Sequence, residues 1–146
     1  MHVYSELIKE LLAKRGIVGE ENIDDFLNPN YETGLHDPFL MRDMERACVR
    51  IYEAIEANQK IVIYADYDCD GIPGAVILQD LFKLAKFENF EVYIPQRNSE
   101  GYGLNMEAIE GFKNSGVKLL ITIDLGITAV DEVAQAIVYG MDVIVT

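Results

Sequence analysis

The chain has 146 residues, half of them apolar, with 12 Lys and Arg against 25 Asp and Glu, a formal charge of −13. That length suits one compact unit able to bury a core, and the charge excludes gripping nucleic acid by a broad basic face. No apolar run approaches a membrane span, and the opening MHVYSELIKE lacks the basic-then-apolar order of a secretion signal, so a soluble, cytoplasmic protein with no membrane partner is expected.

In chain order, Val3 to Lys14 set Leu7, Leu11 and Leu12 on one face of a short helix closed by Arg15 and Gly16, a cationic last turn followed by a C-terminal glycine. Glu20 to Leu27 form a second helix that Asn28-Pro29 ends, and Asn28 to Pro38 read as a loop,. From Met41 to Ala57 the apolar positions Met41, Met44, Cys48, Ile51 and Ile55 recur every three or four residues, the spacing of an amphipathic helix,. The organisation expected is an N-terminal helical segment over 1–58 packed on a core over 59–146.

Ile61 to Ala65 is a continuous apolar run, the pattern of a strand buried on both faces,. It stops at three alternating aspartates, Asp66, Asp68 and Asp70. On an extended backbone these would point the same way. A single Asp between strand and helix is an N-cap more often than a ligand, but three cannot all cap one helix. Crowded carboxylates repel unless a cation or backbone N–H groups compensate them, and hard divalent metals suit an all-oxygen set. Gly71 permits a tight turn, and Pro73 suits the first turn of a helix. Cys69, inside the motif, and Cys48, in the amphipathic helix, have neither metal-finger nor disulfide spacing and read as buried or semi-buried fillers,.

Ala75 to Ala85 mark a crossover helix, Phe90 to Ile94 a second strand, and PQRNSEGYGLN (residues 95–105) a loop carrying Arg97 and Tyr102. Asn105 can cap a helix burying Met106, Ile109 and Phe112. Val117 to Ile123 form a third strand, again ended by an aspartate, Asp124. Thr128 with Asp131 reads as a capping pair for a helix to Tyr139, and Val143 to Val145 begin a fourth strand,. The alternation predicts an α/β fold: a parallel sheet with βα crossovers, two of whose strands bring aspartates to one rim.

These motifs resemble the N-terminal part of RecJ-type single-strand-specific exonucleases, of the DHH phosphoesterase superfamily. The resemblance runs through IDDFLNP, LHDPFLMRDMERA, IYADYDCDG, IPQRNSEGYGL, ITIDLGIT and VIVT, nearly the whole chain. It implies a DHH-type, Rossmann-like domain in a nuclease of DNA repair and recombination. It assigns Asp68 and Asp70 to Mn²⁺ or Mg²⁺ with Asp66 in or beside the same shell, Asp124 as a bridging ligand of a two-metal site, and Asp68, Asp70 and Asp124 to catalysis. Arg97 matches a position that meets a DNA phosphate near the 5′ end, and Tyr102 lines the same channel. The Asp-His-His motif of the superfamily follows a segment like VIVT, where this chain stops, and its histidines are His2 and His36. The expectation is an N-terminal fragment, inactive alone, of a metal-dependent 5′ to 3′ exonuclease acting on single-stranded DNA. Its partner is then the remaining C-terminal part of the same enzyme. Other readings are a DHH-type oligonucleotide or cyclic-dinucleotide phosphodiesterase, a non-catalytic binding relic, and a haloacid-dehalogenase-type phosphatase. The last expects Thr or Val where Ile72 stands.

Overall fold

The computed structural model describes residues 4–146; His2 and Val3 lie outside the described residues. Contacts divide the chain into two units, one up to Met44 and one from Glu45 to Thr146.

In the first unit, α1 (Glu6–Ala13) begins at Ser5, whose hydroxyl accepts from the Ile8 N–H, and α2 spans Glu20–Leu27. Of the expected apolar face of α1, Leu12 is buried while Leu7 and Leu11 are exposed. The stretch from Asn28 to Pro38, expected as a loop, contains a short helix, α3 (Tyr31–Gly34), and a 3-10 turn starts at Pro38. The signals were side-chain caps: Asn30 accepts from Glu32 N–H and Asp37 from Phe39 N–H, each at 2.9 Å,.

The second unit is built on four parallel strands: β1 (Ile61–Ala65), β2 (Phe90–Tyr93), β3 (Leu119–Ile123) and β4 (Asp142–Val145), in the order β2-β1-β3-β4. Helices α5 (Gly71–Leu84), α6 (Met106–Asn114) and α7 (Val130–Val138) make the crossovers, and α4 (Met44–Glu56) precedes β1. Side chains alternate across the sheet. Val62, Tyr64 and Leu120 pack with Ile109, Phe112 and Ala136 of α6 and α7. Ile61, Ile63, Leu119 and Ile121 pack with Ala54 of α4 and Ala75 and Phe82 of α5. The sheet is thus covered on both faces, which explains why β1 is apolar without interruption,.

Helix α4 starts at Met44, after Asp43 at φ 60°, so Met41 stays exposed and outside the helix. Helix α6 is capped as expected by Asn105, whose Oδ1 accepts from Ala108 N–H at 2.7 Å, but Met106 is exposed. The Thr128–Asp131 capping pair does not form: α7 begins at Val130 after Ala129, with no side-chain cap, because a turn from Gly126 to Ala129 carries the chain into it. Among the described residues no helix is long and apolar enough to cross a membrane.

Candidate metal centre

The chain leaves β1 toward α5 and β2 on one side, then passes back across β1 to reach β3. Helices α5 and α7, which follow β1 and β3, lie on opposite faces, so a crevice opens between the carboxyl ends of these two strands,. Their register pairs Ala65 with Ile123. The next residues, Asp66 and Asp124, therefore leave the sheet side by side, with Asp66 N–H donating to Ile123 O at 3.3 Å.

Asp66 is buried, at 3% exposure, and its side chain accepts from Tyr67 N–H at 2.7 Å. Asp68 lies in the turn to α5 and accepts from the N–H groups of Asp70 and Gly71 at 3.0 and 3.1 Å. It therefore takes the capping bonds, and those two N–H groups, Gly71 first, hold its carboxyl below the usual range,. Asp124 sits at φ 59°, a left-handed conformation that Asp tolerates better than most residues,. Its N–H donates to Thr146 O at 3.1 Å. Desolvation, then the charges of Asp68, Asp70 and Asp66, push its carboxyl up.

Asp66, Asp68 and Asp124 each present an oxygen within 4.8 Å of the others, the one group of this kind among the described residues. Asp70 stands outside it, because the chain turns into α5 after Asp66 and the alternation ends. Three converging carboxylates, one buried, are a costly arrangement without a cation, and the all-oxygen set suits a hard divalent ion. Helix α5 is seated tightly on this rim. A Cβ at Gly71 would lie 2.5 Å from Asp66 O, and one at Gly74 2.6 Å from Ile123 Cγ2.

Asp66, Tyr67, Asp68, Cys69, Arg97 and Tyr102 line an open cleft of about 680 Å³. Asp124 faces an adjoining hollow of about 650 Å³ that Tyr102 also lines, and the Tyr102 hydroxyl donates to Asp124 O at 3.4 Å. The Arg97 guanidinium lies over the Tyr67 ring, 5.3 Å from its centre, and Tyr67 meets Tyr102 edge-on at 6.5 Å. Arg97 has no ion pair among the described residues. Sequence reasoning missed Tyr67, although its place between two candidate ligands was a signal. Cys69, expected as a buried or semi-buried filler, is exposed because it sits in the turn rather than the strand.

Fold and cleft together define a doubly wound α/β domain with an acidic site at its switch point. Residues 60–146 match the DHH family, N-terminal domain, and the chain belongs to that family. It is similar to the single-stranded-DNA-specific exonuclease RecJ of Bacillus subtilis (strain 168), with 42% identity over the whole chain and 18% of the relative. A crystal structure of exonuclease RecJ bound to manganese matches with TM-score 0.65 and 32% identity, over 73% of this chain and 27% of that one. RecJ from Thermus thermophilus in complex with Mn²⁺ shares the fold at TM-score 0.61 and 23% identity, over 94% and 20%. The chain thus spans about a fifth of the curated relative's length.

Proposed function

We propose that this chain contributes the first part of the metal site of a cytoplasmic phosphodiesterase that shortens single-stranded DNA from its 5′ end. The observation that carries this is the convergence of Asp66, Asp68 and Asp124 in the crevice between β1 and β3, beside Arg97, which makes no ion pair among the described residues. The likeness to RecJ, and the manganese of the solved relative at 32% identity, support the reading.

Asp66, Asp68 and Asp124 would hold Mn²⁺ or Mg²⁺, with Asp70 adding negative potential from the start of α5. Such ions, when bound, lower the pKa of a water and offset charge on a leaving oxygen. Tyr67 supports the Arg97 guanidinium by its ring face, which leaves the N–H edge free to fork onto a terminal phosphate,. Tyr102, two-thirds exposed between the hollows, offers a ring to a nucleobase,. Two octahedral ions have about twelve coordination positions, and four aspartates leave most of them unfilled. The chain alone is therefore a half-site, and the remaining ligands come from further along the whole protein.

The test is a gel assay of labelled single-stranded DNA with excess Mn²⁺ and a large molar excess of the chain. No hydrolysis is expected; shortening that disappears in Asp68→Asn would contradict the half-site. In the whole protein, Arg97→Ala should weaken 5′-phosphorylated strands about tenfold more than 5′-hydroxyl strands. Equal loss on both would reduce Arg97 to nonspecific attraction.

A further inference from the structure

The segment from Gln96 to Gly103 brings Arg97 and Tyr102 to the cleft without regular secondary structure. A polar cluster on the side of β2 fixes it instead. One oxygen of Glu100, Oε1, accepts from the Tyr93 hydroxyl and, at 3.4 Å, from Asn105 Nδ2. The other, Oε2, accepts from Gln96 N–H at 2.7 Å, while Glu100 N–H donates back to Gln96 O at 2.8 Å. Arg97 lies inside the turn these bonds close. At the far end the buried Tyr64 hydroxyl donates to Gly103 O at 2.8 Å and accepts from Asn105 Nδ2 at 3.1 Å.

We infer that Glu100 is a positioning residue, a latch that ties the turn holding Arg97 to β2 and so sets the guanidinium over Tyr67. This rests on the reading of Arg97 as an anion contact. The reason is that Arg97 has nothing else to place it: no salt bridge anchors it among the described residues, and a ring face at 5.3 Å attracts a guanidinium without fixing its backbone,. Glu100 has the chemistry the latch needs, because two acceptor oxygens meet donors from different elements. Backbone N–H and hydroxyl bonds to a carboxylate are charge-assisted and stronger than neutral ones. A glutamine keeps part of this, since its amide oxygen can accept from Gln96 N–H while its NH₂ donates to the Tyr93 oxygen. Alanine keeps none.

The test is NMR of the chain labelled with ¹³C-arginine. The Arg97 side-chain signal, identified by its loss in Arg97→Ala, should carry an upfield ring-current shift that Tyr67→Leu abolishes. Glu100→Ala should move it to the Tyr67→Leu position, and Glu100→Gln should largely keep it. A readout that general loosening would not give is the ratio of affinities for 5′-phosphorylated over 5′-hydroxyl oligonucleotides. It should fall about tenfold in Glu100→Ala, as expected for a supporting residue, while Mn²⁺ affinity stays within about twofold. Retention of the Arg97 shift in Glu100→Ala would overturn the inference. Should that variant not fold, Tyr93→Phe is read in its place: it removes the hydroxyl that Glu100 accepts from, and an unchanged Arg97 shift in it would overturn the inference equally. An unchanged ratio in Arg97→Ala alongside a lost shift in Glu100→Ala would contradict the anion reading and leave the latch standing.

Discussion

Tyr93 shows how one side chain at the edge of the sheet serves the loop above it. Its ring packs edge-on against Phe112 at 5.2 Å, and its hydroxyl donates to Glu100. Burial first, and then the hydrogen bond and charge of Glu100, push its pKa from 10.0 to about 12. The fold therefore favours the protonated ring, so this contribution to stability is complete below the unfolded value near 10 and is lost as pH rises through about 12. Glu100 moves the other way: the Gln96 N–H, then the Tyr93 hydroxyl, lower its carboxyl. Its contribution is complete above the ordinary carboxyl value and is lost as pH falls through the lowered one. Absorbance titration of tyrosinate should show a high-pH phase in the wild type, to which the buried Tyr64 also contributes, that loses one ring's amplitude in Tyr93→Phe. A Tyr93 that ionised near 10 would mean that neither burial nor Glu100 holds its ring protonated.

At the scale of elements, the site depends on how closely α5 approaches the ends of β1 and β3. Gly71→Ala would place a methyl 2.5 Å from a backbone oxygen that cannot swing aside, so it should destabilise by about 1–3 kcal/mol. It should also weaken Mn²⁺ binding by displacing Asp66. Thermal unfolding and metal titration check both, and unchanged values would show that α5 can shift freely. This seating was not legible in the sequence, where Gly71 read as a turn residue, because close approach belongs to tertiary packing. The strands were legible: the apolar run Ile61–Ala65 matches β1 residue for residue, since a strand buried on both faces leaves no polar interruption. The shared rim was legible too, because two apolar runs each ended on an aspartate. Hidden from it was the turn that takes Asp70 out of the carboxylate group, because it depends on backbone dihedrals that residue patterns do not specify. The caps Asn30 and Asp37, and Tyr67 between two candidate ligands, did carry signals that the helical and strand periodicities passed over.

Across the whole molecule the charge is −13, and three of the 25 acidic residues, Asp66, Asp68 and Asp124, converge at one rim. A divalent cation would relieve that repulsion locally, and Arg97 supplies positive charge in the cleft that Asp66 and Asp68 line. Whether Asp66, Asp68 and Asp124 form a cation site within this chain is decided by titrating the chain with Mn²⁺ and following the electron paramagnetic resonance signal of the free aqueous ion. Asparagine at position 68 can still accept the capping N–H bonds, and asparagine tolerates the left-handed backbone of position 124,. Asp68→Asn with Asp124→Asn therefore removes charge while keeping the fold, which circular dichroism verifies. The wild type should show saturable loss of the free-ion signal and its recovery on adding a chelator, and the double variant should bind at least about tenfold more weakly. Equal binding by the wild type and the double variant would contradict that site.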